Sequence, residues 1–164
     1  MRYPDVAAMS SGFESAVNAI EDRGSEGRVE RPELEGAVGT VPHVRDVTGI
    51  AIALADAAAD RFAVDVDRDA VVAGALLHDV SKLYELTGTT TNERNELVPH
   101  PHYGVHVLAE AGFSTRFQHV ALSHSDSSAV EPRTFEARIV ALADRFAVDG
   151  LFVERTGELP SDRS

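Results

Sequence analysis

The 164-residue sequence predicts an all-α fold, on three observations. No stretch alternates apolar and polar residues as a half-buried strand would. Several stretches repeat apolar residues at steps of three and four, and Gly, Pro or Ser stands at their ends.

Residues 1–40 read as an appended arm. A short apolar helix candidate, FESAVNAIEDR, precedes a Gly-, Glu- and Arg-rich stretch with little periodicity. The packed domain is expected over residues 41–150. Its first helix runs from His43 to Phe62, with Val44, Val47, Ile50, Ala51, Leu54, Ala55, Ala58 and Phe62 as its apolar stripe. His43 lies on that stripe, so it points inward from the first turn. DAVVAGALLHDVSKLY predicts a second, more buried helix to Tyr84, with Val71, Ala75 and His78 on one face. A Thr-, Asn- and Gly-rich loop follows. HYGVHVLAEAG gives a short helix ended by Gly112, and Ser114 opens STRFQHVALSHS. The last helix, RTFEARIVALADRFAVDG, starts after Pro132 and closes at Gly150, which leaves 151–164 as a tail. ADRFAVD occurs at 59–65 and again at 143–149. With nothing alike around the two copies, they read as convergence on a helix-ending pattern rather than a duplication.

Composition narrows the class of protein. There is no cysteine, so the fold needs no disulfide, which fits an intracellular protein. No stretch has the apolar length of a membrane span, and the N-terminus lacks a signal-peptide pattern, so a soluble, cytoplasmic protein is expected. The formal charge is −12, from 27 acidic against 15 basic residues. Such an excess, with arginine in place of lysine almost throughout, fits a halophilic protein whose carboxylates hold a hydration layer; an ordinary acidic protein is the alternative. An anionic surface also disfavours long nucleic acid, which seeks a basic track.

The candidate chemistry rests on histidine and aspartate. Of seven histidines, His43, His78, His100 and His124 fall at helix starts or ends, from which separate helices can aim at one point. His78 and Asp79 are neighbours about 100° apart on a helix and can grip one ion from one side. Imidazole with carboxylate suits Mn, Fe, Co, Ni or Zn, and thiolate sites are excluded. Asp56 and Asp60 share a helix with His43 but lie too far along it; Asp60, seventeen residues on, is roughly 25 Å away. Asp144, alone in the apolar run IVALAD, has no such restriction and is the fourth candidate ligand beside His43, His78 and Asp79.

VPHVRDVTGIAIALA, ALLHDVSKLYE, HPHYGVHVLAEAGF, ALSHSD and EPRTFEARIVALADRF resemble, in order and spacing, the HD-domain metal-dependent phosphohydrolases over about residues 41–150. The segment from HPHYG to the final ADRF is particularly similar to the subgroup containing the HD part of ribonuclease Y. The resemblance implies a compact bundle of about five to seven helices and a divalent metal held by His43, His78, Asp79 and Asp144. It adds His100 and His124 as further candidate ligands. Ser125 stands where that subgroup often has histidine, so a second ion stays open.

By the same resemblance Lys82, the chain's one lysine, closes the HDVSK segment, where a cation one turn from the metal pair can meet a phosphate. An ion pair to Glu85 or Asp79 is the alternative for it. Catalytic roles then fall to Asp79, Lys82 and His124, whereas His102, His106 and His119 have no motif match. The implied activity is hydrolysis of a nucleotide or related phosphate mono- or diester, with a homodimer as a candidate assembly. An RNA phosphodiesterase, or a nucleotide-binding regulator without turnover, is the alternative.

Overall fold

The computed structural model describes residues 40–84, 86–87, 90–91 and 97–158. The predicted arm helix at 13–23, the loop after it, Glu85 and the last six residues lie outside this set. The described residues form five α-helices: α1 (Thr40–Phe62), α2 (Arg68–Leu77), α3 (His100–Glu110), α4 (Thr115–Ser123) and α5 (Phe135–Thr156). The fold is all-α, as the sequence predicts. The departure among the described residues is a ladder of two-residue strands, β1 (Leu86–Thr87) and β2 (Thr90–Thr91), paired antiparallel. No helix among the described residues is long and apolar enough to cross a membrane.

The core is built from small residues, which lets the helices approach closely. Val47, Ala51 and Ala55 of α1 and Val71 and Ala75 of α2 meet Val120 of α4 and Ala137, Ile139, Val140 and Ala143 of α5. Burying each such valine or isoleucine stabilises the fold by roughly 1.5–3 kcal/mol before cavity terms. A second cluster, Leu77, Leu108 and Ala121, joins α2 and α3 to α4. Gly74 lets α2 sit against Val120, where an added Cβ would stand 3.2 Å from Val120 Cγ1.

Several helix limits differ from the sequence expectation. α1 buries His43, Val47, Ala51, Ala55 and Ala58 at steps of four and three, while Leu54 and Phe62 of the predicted stripe are exposed. α2 does not continue to Tyr84. It stops at Leu77, His78 and Asp79 form a turn, and Val80–Tyr84 is a 3₁₀ helix. The apolar pattern runs on because both segments pack inward, so periodicity alone does not mark the break. α3 begins at His100, with Pro101 in its first turn where a missing N–H costs nothing. Ser114 precedes α4, but its side chain makes no capping hydrogen bond.

α5 passes through Gly150 and ends at Gly157, whose φ of +72° forms the left-handed cap. Thr134 caps its start, accepting a hydrogen bond from the Ala137 N–H at 3.1 Å. The ADRFAVD repeat is therefore not a helix-ending pattern. Its first copy ends α1, with Ala63 at φ +51°, and its second lies inside α5.

Candidate metal and phosphate site

Four helix-borne segments deliver the polar cluster. His43 comes from the first turn of α1, and His78 and Asp79 from the turn that ends α2. His124 comes from the end of α4, and Asp144 from the middle of α5. His100 adds a fifth arm from the start of α3. All of His43, His78, Asp79 and His124 are buried.

The geometry is set locally before it is set globally. His78 Nδ1 donates to the carbonyl of Ala75 at 2.6 Å, and His124 Nδ1 donates to that of Ala121 at 2.8 Å. A carbonyl only accepts, so each ring carries its proton on Nδ1 and presents Nε2 inward as a lone pair when neutral. In both cases the acceptor lies three residues back, so the last helical turn fixes ring orientation and tautomer together.

The inward atoms then converge. His43 Nε2 is 2.9 Å from Asp144 Oδ1 and 3.5 Å from Asp79 Oδ2, and His78 Nε2 is 3.4 Å from His43 Nε2. His78 Nε2 also lies 3.5 Å from Asp79 Oδ2 and 3.7 Å from Asp144 Oδ1. On the other side of Asp79, Oδ1 is 3.5 Å from Nε2 of both His100 and His124, which are 3.2 Å from each other. Each carboxylate oxygen of Asp79 thus faces its own pair of imidazoles.

Neither Asp79 oxygen, although buried, has a hydrogen bond of good geometry, and the one short polar approach is Lys82 Nζ at 2.8 Å from Oδ2. Lys82 serves Oδ2 alone, and buried Oδ1, with nothing nearer than imidazole nitrogens at 3.5 Å, calls for a further cation. The donor spacings fit one, because ligand atoms at about 2.1 Å around a divalent ion stand roughly 3.0–3.4 Å apart. His43, His78 and Asp144 form one set of donors close enough to hold an ion, and His78, Asp79 and His124 form another.

Electrostatics agree with that need. Burial pushes the Asp79 carboxyl up, but the imidazoles of His124 and His78 and the Lys82 ammonium outweigh it and hold the group far below the usual carboxylate range. Asp144 behaves alike, lowered by His43 and His78 against its own burial. Burial would lower His78, yet the nearby Asp144 and Asp79 carboxylates win and raise it to about 9. His100 is pushed down to about 4, chiefly by burial, and stays neutral with a free lone pair at pH 7.

The cluster floors an open pocket of about 240 Å³ whose rim carries Thr40, Lys82, Ser125 and Val148. Thr40 and Val148 are absent from the sequence expectation. Thr40 is three residues before His43 and Val148 four after Asp144, so helical spacing from a candidate ligand was the signal available for both.

The remaining candidates lie elsewhere. Asp56 pairs with Arg68 at 2.9 Å on the surface, and Asp60 is exposed. His106 meets Glu110, His119 Nε2 accepts the Arg133 N–H at 2.9 Å, and His102 is exposed. Ser123 donates to the His119 carbonyl, and Asp126 lies 3.8 Å from Arg145.

Residues 40–149 match the HD domain. A curated relative from Methanocaldococcus jannaschii, named dihydroneopterin 2',3'-cyclic phosphate phosphodiesterase, is 35% identical over 111 residues. The alignment covers 65% of this chain and 45% of that protein, so the chain spans under half the relative's length. No solved structure gives a significant match.

Proposed function

The chain belongs to the HD-domain family, and on that footing we propose that it is a metal-dependent phosphohydrolase acting on a nucleotide or related phosphate ester. The observation that carries the proposal is Asp79. It is a buried carboxylate without a good hydrogen bond, each oxygen turned to two imidazole nitrogens, beside the chain's one lysine.

His43, His78, Asp79 and Asp144 would hold the ion, and His100 and His124 with Asp79 offer a place for a second. A divalent cation bound there would supply Lewis acidity, drawing charge from a phosphoryl oxygen and making water more acidic. Mn, Fe, Co, Ni and Zn all suit this imidazole and carboxylate set.

The chain's own groups supply the rest. Lys82 Nζ sits at the rim and meets the phosphate oxygens that accumulate charge. Asp79, held ionised, accepts a hydrogen bond from the attacking water and so orients it toward phosphorus. His124, fixed by Ala121, aims Nε2 at the same space. Thr40 and Val148 flank the entrance, where the part of the substrate beyond the phosphate would lie.

The pocket volume suits a phosphate and its neighbouring sugar atoms better than a long polymer. Among the described residues lining it, Lys82 is the sole cation, and the net charge of −12 works against extended RNA. The relative's printed substrate favours the diester end of the range, a 2',3'-cyclic phosphate.

The test is a panel of 2',3'-cyclic nucleotides, 3',5'-cyclic nucleotides and nucleoside monophosphates, assayed on protein purified without chelator beside His78→Ala. Turnover of a panel member that disappears in His78→Ala is expected. Turnover that survives the substitution refutes the metal mechanism, and tight binding without product supports the regulatory alternative.

A further inference from the structure

α5 carries a second apolar face that the core does not use. Phe135, Leu142, Phe146 and Val153 are 45%, 52%, 67% and 37% exposed. Their spacings of seven, four and seven residues place them within about 40° of one another on the helix, a single stripe roughly 27 Å long. Asp144 is two residues from both Leu142 and Phe146 and therefore projects on the opposite side. Among the described residues the stripe thus belongs to neither the core nor the pocket.

We infer that this stripe is the seam of a homodimer in which α5 packs antiparallel against α5 of a second copy about a two-fold axis. The spacing is symmetric about position 144: Phe135 stands as far before it as Val153 stands after it, and Leu142 as far before as Phe146 after. An antiparallel pair centred there sets Phe135 against Val153 of the partner and Leu142 against Phe146 of the partner, at both ends alike. Such self-complementarity is what a two-fold interface requires.

Charge supports the same register. Arg138 and Asp149 lie on one flank of the stripe, and in an antiparallel helix pair like flanks meet. Arg138 then faces Asp149 of the partner, twice per dimer, and its own ion pair with Glu131 at 3.4 Å is exposed enough to yield. Arg145, nearest the axis, leans toward Asp126. The two pockets open away from the seam, and each Asp144 gains a helix buttressed from behind.

One stripe of four side chains per copy makes a small interface, so the dimer dissociates on dilution. Because each copy carries a charge of −12, salt that screens the mutual repulsion tightens the association.

Sedimentation velocity on the full chain across a concentration series, in molar and in millimolar salt, tests this beside Leu142→Glu/Phe146→Glu. A concentration-dependent dimer favoured by salt is expected, with a monomeric double variant whose circular dichroism is unchanged. A monomer at every concentration and salt level overturns the proposal, as does a dimer that the double variant retains. The cysteine-free chain permits a second check that does not depend on that variant. Leu142→Cys mixed with Phe146→Cys should form a crossed disulfide, whereas ready linkage of Leu142→Cys to itself refutes the antiparallel register.

Discussion

Lys82 Nζ lies 2.8 Å from Asp79 Oδ2, so the chain's one lysine is paired with the most deeply buried carboxylate of the cluster. The ammonium reaches inward to the histidine and aspartate cluster and outward to the pocket rim, with its side chain about one third exposed.

Lys82→Met should lower kcat by about 100-fold, the effect of losing one preorganised charge donor in a transition state. Metal content, read by mass spectrometry, should stay within error of the parent. Loss of the metal along with the activity would make Lys82 a support for Asp79 rather than a contact to phosphate. Lys82→Arg should restore part of the rate only, since a broad planar fork replaces a compact charge.

Asp144→Asn keeps the shape and removes the charge. Metal affinity, measured by competition with a chromogenic chelator, should fall by about 100-fold, equivalent to roughly 2.7 kcal/mol. The helix content should not change, because Asp144 meets imidazoles and the pocket rather than the core. An unaltered affinity would remove α5 from the ligand set.

Chelation should lower the melting temperature. Saturation at a hundred times the dissociation constant stabilises a protein by about 2.7 kcal/mol, which in a chain of this size is roughly 5–10 °C. Differential scanning calorimetry with and without Mn(II) after chelator treatment measures it. Identical curves would mean that no ion binds the folded chain selectively.

Arg116 gives a pH-dependent prediction away from the pocket. Its guanidinium lies 2.7 Å from Asp67 and 3.1 Å from Glu136, and both carboxyls are lowered from ordinary values of 3.8 and 4.5. For Asp67 the hydrogen bond from the Ala70 N–H is the main cause; for Glu136 burial opposes, and backbone N–H groups with Arg116 prevail. A depressed carboxylate stabilises the fold above its unfolded value and loses that contribution as pH falls through its folded one. Arg116→Ala should therefore cost about 1 kcal/mol or less at pH 7, given the partial exposure, and less at pH 3 than at pH 7. Urea midpoints at the two pH values decide it.

Gly74→Ala should destabilise by about 1 kcal/mol, although alanine is the better helix former. The new Cβ would meet Val120 Cγ1 at 3.2 Å, and a β-branched side chain on a helix has little freedom to turn away. A raised denaturation midpoint would show that α4 yields at that contact.

What the sequence disclosed follows physical lines. The convergence of His43, His78, Asp79 and Asp144 was legible because the first three stand at helix starts or ends, and Asp144 is a lone carboxylate inside the apolar run IVALAD. The five helices were legible from apolar periodicity. The break at His78 was not, since 3₁₀ and α segments bury side chains at similar steps. Nor was the continuation of α5 past Gly150, a glycine tolerated inside a helix when the residues after it can propagate the turn. The exposed stripe of α5 was hidden for another reason: Phe146 and Ala143 are both apolar, and composition does not say which faces the core.

The two copies of ADRFAVD make one point about transferability. The same seven letters leave Asp60 in solvent near the end of one rod and set Asp144 among imidazoles in the middle of another. What differs is the company each keeps: Ala63 turning left-handed within the first, and another two turns of helix beyond the second. A short word in this protein has no meaning apart from its sentence, and a role carried over by matching heptapeptides would land on Asp60 as readily as on Asp144.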